Sequence, residues 1–136
     1  MDTEVMDVET GDRLVTDITD AVRRFCQRHT DGLCHVFLPH ATAGLALIEL
    51  GSGTEVDLEG ALDRVAPRDG RYAHRHGSAG HGADHVLPAF VSPSLVLPVQ
   101  AGRVLLGTWQ SVVLVDTNVD NSRRHVRMSF LGDVPG

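Results

Sequence analysis

The sequence predicts an α+β fold: one compact domain over residues 1–136, with a β-sandwich-like body and two helices. Three observations predict it. Short apolar runs split by turns fill residues 94–131, as in a β-rich body. Two earlier stretches carry apolar residues at helical spacing instead. A length of 136 residues, 42% of them apolar, suits one globular domain and leaves little room for two.

The elements follow in order. Residues 3–9 alternate loosely and predict a first strand. Thr16, followed by acidic residues, predicts a helix start; Ile18, Val22, Phe25 and Cys26 share one face, and Asp31-Gly32 ends the helix. Residues 33–39 predict a strand with Cys34, Val36 and Leu38 on one face, and 44–49 predict another. Thr54 and Asp57 form a capping box for a second helix, which carries Leu58, Leu62 and Val65 and stops at Pro67. Residues 68–85 hold four Gly and four His, which predicts a long polar loop. Strands then follow over 94–99, 103–107, 109–115 and 123–131. In the last, Val126, Met128 and Phe130 face one way while Arg127 and Ser129 face the other.

Composition narrows function. Aromatics are only 4%, so the core is aliphatic. A net charge of −6, from 12 cationic and 18 acidic side chains, disfavours non-specific nucleic-acid binding. No apolar run approaches a membrane span. Residues 1–20 carry seven acidic groups and one Arg, unlike a secretory signal. The expectation is a soluble cytoplasmic protein with neither membrane nor nucleic-acid partners. All 12 cationic residues are Arg. The lack of Lys excludes Schiff-base chemistry, pyridoxal phosphate anchoring and the phosphate-loop lysine, and no nucleotide cofactor motif is evident. Cys26 and Cys34, eight residues apart with no CxxC, are expected reduced on inner faces rather than as zinc thiolates.

Three clusters could carry chemistry. His74, His76, His81 and His85 lie within twelve residues, with His40 further upstream. Imidazoles on a Gly-rich loop can converge as metal ligands or as acid–base groups, or be tolerated on a polar surface. His29, at a helix end, and His35, within a strand, read as structural. The segment HATAGLALIE at 40–49 places His40 and Thr42 at a corner between strands, with Glu49 at the end of the second. That set suits proton transfer or phosphate recognition, or is a hairpin corner with a capping Thr. Gly107-Thr108-Trp109-Gln110 holds the only Trp, as a core residue or as a wall for a planar ligand. Arg123-Arg124 could grip a phosphate or line a solvated edge.

In this order the clusters resemble the YjbQ family, whose members are often labelled secondary thiamine-phosphate synthases. The residues that carry the resemblance are HATAGLALIE at 40–49, Asp57, Tyr72-Ala73-His74, Asp84-His85, the run 92–99, the run 102–110 ending in GTWQ, and Arg123-Arg124 through Gly132. It spans residues 4–132. The resemblance implies a homotrimer and a site near a subunit boundary, with His40, His74 and His85 as metal ligands. It also implies His40, Thr42 and Glu49 as catalytic groups, and Trp109, Gln110 and Arg124 against a phosphorylated small molecule. The implied reaction is a thiamine-phosphate synthase-like transfer; the alternatives are a metal-dependent hydrolase of a phosphorylated or acyl metabolite, and a non-catalytic metal- or anion-binding protein. Where the family carries an acidic pair before the last histidine, this chain has Gly80-His81. Fewer carboxylates favour zinc over magnesium as the divalent metal.

Overall fold

The computed structural model describes residues 1–74 and 77–133. Its first half contains β1 (Asp2–Glu9), β2 (Val15–Asp17), α1 (Thr19–Cys26), β3 (Gly32–Phe37), β4 (Ala43–Ile48) and α2 (Thr54–Val65). Its second half contains α3 (His81–Phe90), β5 (Ser94–Gln100), β6 (Arg103–Val104), β7 (Ser111–Asp116) and β8 (Arg123–Gly132). The strands form a five-stranded sheet in the order β1-β8-β3-β5-β6 and a three-stranded sheet in the order β2-β7-β4. All pairings are antiparallel.

The sheets share one core, which makes the body a sandwich. Cys34, Val36, Leu97, Val126, Met128 and Phe130 come from the larger sheet, and Leu45, Val112 and Leu114 from the smaller. Val22, Phe25 and Cys26 of α1 close one side of it. Cys26 and Cys34 are both buried in this core and are not joined in a disulfide. Strand β7 is covered on both faces, which explains its unbroken apolar run. Val112 and Leu114 face the sandwich core, while Val113 and Val115 pack with Leu87 of α3 and Leu58 and Leu62 of α2.

The α+β class holds, but the helix count does not: the described residues contain three helices, not two. The third starts inside the segment expected to be a loop. Gly80, Gly82 and Pro88 all lower its local helix propensity. Tertiary packing overrides them, because α3 buries Leu87 and the carboxylate of Asp84, which is paired with Arg68. Gly80 takes a left-handed φ of 85° ahead of the first turn.

Other boundaries also move. Thr16 belongs to β2 and caps nothing; the Asp17 carboxylate instead accepts the N–H and hydroxyl of Thr19, at 2.9 and 2.6 Å. Helix α1 ends at Cys26, well before Asp31-Gly32. Gly32 opens β3, where a Cβ would collide with the Leu131 carbonyl oxygen of β8. Thr54 is the first residue of α2 and not its cap, so the expected capping box is absent; Gly53 precedes it with φ 85°. Residues 105–107 and 109–110 lie outside strands, in the connection from β6 to β7.

A buried polar network ties the two sheets together at one end. Arg124 of β8 is only 2% exposed. Its Nε and one Nη donate to Asp116 of β7 at 2.6 and 2.9 Å, and the same Nη donates to Thr42 Oγ1 at 2.9 Å. Asp116 also accepts the Thr10 hydroxyl at 3.2 Å and the Asn118 N–H at 2.9 Å. The Asn118 side-chain amide returns to Thr42 at 3.2 Å. Arg123, one residue away, is exposed and pairs with Glu9 instead. Removing one partner of a buried ion pair leaves an uncompensated charge. Arg124→Ala is therefore expected to cost about 3–5 kcal/mol, read as a lower urea midpoint at unchanged slope. The same change at Arg123 is expected to cost less than about 1 kcal/mol.

Candidate metal centre

The connection from α2 to α3 is pinned before it reaches its histidines. The Tyr72 hydroxyl donates to the Pro67 carbonyl at 2.6 Å. Gly82, in the first turn of α3, has Tyr72 and the His74 carbonyl so close that a Cβ would meet both within 3 Å. The chain can thus lie across the start of the helix and bring His74 over it. His81 and His85 then project from one face, because four residues make about one helical turn.

The result is a cluster of three imidazoles. One ring nitrogen from each of His74, His81 and His85 lies within 4.8 Å of the others. The His81 and His85 Nε2 atoms are 2.9 Å apart, and the His74 and His85 ring centres 3.9 Å apart. A cleft of about 260 Å³ opens beside His74 and His81, walled by Tyr72, Ser78 and the glycines around them. The far nitrogen of His81, Nδ1, lies 3.1 Å from Asp120 Oδ2. Asp120 also accepts the Ser78 N–H at 3.1 Å, which holds its carboxyl below the usual range; nearby His81 and Arg68 act in the same direction. Below α3, Asp84 is fully buried, paired with Arg68 and accepting the Thr117 hydroxyl at 2.6 Å. Three convergent imidazoles form a nitrogen donor set that could hold a metal ion.

His40 is not one of the three. Its Nε2 accepts the His125 backbone N–H at 2.9 Å, and its ring stacks on that of His125 with centres 5.8 Å apart. The His125 Nδ1 in turn meets Asp7 at 2.6 Å. Thr42 and Arg124, expected at the site, are engaged with each other inside the buried network. Glu49 is exposed at the far end of β4 from Thr42, roughly 20 Å along an extended strand. Trp109 and Gln110 lie at that same far end, since Ser111 of β7 pairs with Ile48. Trp109 is 72% exposed and so no core residue, and the Gln110 side chain accepts the Gly107 N–H at 2.8 Å to close its own turn. His29 and His35 are structural, as read: one stacks on Phe130 and the other meets Ser94 at 2.7 Å. His76 lies outside the described residues.

Within one chain, then, the structure brings His74 and His85 together and adds His81, which sequence reasoning did not assign. It sets Glu49, Trp109 and Gln110 at the opposite end of the smaller sheet. The H-x-x-x-H spacing of His81 and His85 is the signal that could have found the pair, had the segment been read as a helix. Asp120 left no such mark.

Fold and site together define a small two-sheet α+β protein with a three-histidine, metal-ligand-type cluster beside an open cleft. The chain belongs to the YjbQ family: the family described as UPF0047 protein YjbQ-like matches residues 4–133. It is 63% identical to the UPF0047 protein Rv2556c of Mycobacterium tuberculosis over 131 residues, covering 96% of this chain and 98% of that one. It is 32% identical to the UPF0047 protein YjbQ of Escherichia coli O157:H7 over 124 residues, 90% of each chain. A solved YbjQ-like protein of unknown function from Sulfolobus solfataricus superposes with a TM-score of 0.89 at 25% identity, over 96% of both chains. The conserved hypothetical protein TT1486 from Thermus thermophilus gives 0.80 at 32% identity, over 94% of this chain and 99% of that one. No helix among the described residues is long and apolar enough to cross a membrane.

Burial pushes the His40 imidazole below its ordinary value, and nearby Arg124 and His125 push it the same way against the opposing pull of Asp116. The bond that its Nε2 accepts from His125 also requires a neutral ring. As pH falls, the unfolded chain takes up this proton near pH 6.5 while the folded chain resists. Stability therefore declines below about pH 6.5 and levels off below the folded value. Thermal melts at about pH 7.5 and about pH 5.5 are expected to show a larger loss in the wild type than in His40→Gln.

Proposed function

We propose that this protein is a metal-dependent enzyme that hydrolyses a phosphorylated or acyl metabolite at His74, His81 and His85. The observation that carries this reading is the convergence of three imidazole nitrogens within 4.8 Å beside an open cleft. Three histidines leave a position for water or substrate, the arrangement of catalytic rather than structural zinc sites. A bound divalent metal would supply Lewis acidity and an activated water at neutral pH. The chain's own groups do the rest. The three imidazoles are the donor set, Asp120 faces the far side of His81, and the glycine-lined wall leaves room for substrate. Zinc is the favoured metal, and His81 takes the place that the family resemblance gave to His40.

The assembly we infer is a homotrimer, as the resemblance implies. Support on this chain is the outer face of the larger sheet, where Val5, Leu33, Val96 and Leu131 stand 47–58% exposed on the same side. Light scattering on the purified chain is expected to give three times the monomer mass. Val96→Arg with Leu131→Arg is expected to lower it, and a monomeric wild type would dispose of the trimer.

Elemental analysis of tag-free protein is expected to find about one zinc-like ion per chain, lost in His74→Ala, His81→Ala and His85→Ala. With zinc added, generic phosphomonoesters and esters are expected to turn over at least about 100-fold faster with wild type than with His85→Ala. Equal rates would remove the hydrolase reading. Rescue of a thiamine auxotroph by wild type and not by His85→Ala would identify the transferase reaction instead.

A further inference from the structure

We propose that Asp120 is the positioning residue of the metal centre: its carboxylate holds the His81 ring so that Nε2 presents its lone pair to the metal. The inference rests on the metal reading of the three-histidine cluster. His81 is the first residue of α3, and its two ring nitrogens face different neighbours. Nε2 lies 2.9 Å from His85 Nε2, inside the cluster. Nδ1 lies 3.1 Å from Asp120 Oδ2, outside it. A carboxylate opposite one imidazole nitrogen keeps the proton there and leaves the other nitrogen basic, as in carboxylate–histidine–metal arrangements.

Asp120 is itself held in place. The connection from β7 to β8 begins at Asp116, in the buried network with Arg124 and Thr42. From there the bonds step outward. Asn118 N–H donates to Asp116 at 2.9 Å, and Asp120 N–H donates to Asn118 Oδ1 at 3.0 Å. The Ser78 N–H binds the Asp120 carboxylate from the other side. Gly77, with φ 81°, closes over the pair so tightly that a Cβ would meet Asp120 Oδ2 and His81 Cγ, both at 2.8 Å. Asp120 is thus set beside His81 by a chain of bonds that starts at the junction of the two sheets.

A purely structural alternative has Asp120 only tying its loop to the start of α3. Two readouts separate the roles. In metal-free full-length protein, long-range 15N NMR of the His81 ring is expected to show the proton on Nδ1 in wild type, and a shift toward Nε2 in Asp120→Ala. Zinc affinity, measured by competition with a chromophoric chelator, is expected to fall about 10–100-fold in Asp120→Ala. It is expected to fall less in Asp120→Asn, whose amide oxygen still accepts. Urea midpoints should differ little, since Asp120 is exposed. An unchanged tautomer with wild-type zinc affinity in Asp120→Ala overturns the positioning role and leaves the metal reading intact. A wild type that takes up no zinc, while its tautomer still responds to Asp120→Ala, overturns the metal reading and keeps the hold of Asp120 on the ring.

Discussion

The buried pairing of Arg124 with Asp116 is the constraint around which this molecule is arranged. It joins β8 of the larger sheet to β7 of the smaller at one end of the sandwich. A charge pair out of water persists only when its remaining donors and acceptors are met. Thr10, Thr42 and Asn118 meet them here, and each comes from a different connection between strands. One ion pair therefore sets the path of three loops. The β7–β8 loop then carries Thr117 to Asp84 and Asp120 to His81.

This arrangement gives the two ends of the smaller sheet different characters. One end holds the buried network, His40 with His125, and the three-histidine cluster backed by Asp120. The other holds Glu49 and the turn that displays Trp109. A strand separates its ends by its length, so residues close in sequence, such as Thr42 and Glu49, are parted by β4. Residues far apart in sequence, such as Thr42 and Arg124, are joined. Within this chain the Arg124 guanidinium engages Asp116 and Thr42.

Much of the fold was legible along the chain. Alternation in β3 and β8 marked which residues enter the core, because a half-buried strand must alternate. Leu58 and Leu62 marked the inward face of α2 for the same reason at helical period. The failures have physical causes too. Thr16 could cap a helix locally, but it lies in β2, and Ile18 leads into α1 without a side-chain cap. The glycines and Pro88 around α3 argued for a loop, and only burial of Leu87 and Asp84 makes a helix there. Missing that helix concealed the pairing of His81 with His85, and with it a third of the candidate site.

The sequence by itself determined the α+β class, the aliphatic sandwich core, the inward-facing cysteines and the concentration of histidines over residues 74–85. Each follows from composition or from periodicity, which act over a few residues. Tertiary structure alone decided which imidazoles meet, that His40 turns to His125, that Arg124 is sealed inside, and that Asp120 backs His81. Those outcomes depend on contacts between segments remote in sequence, where burial and the pairing of charges outweigh local preference.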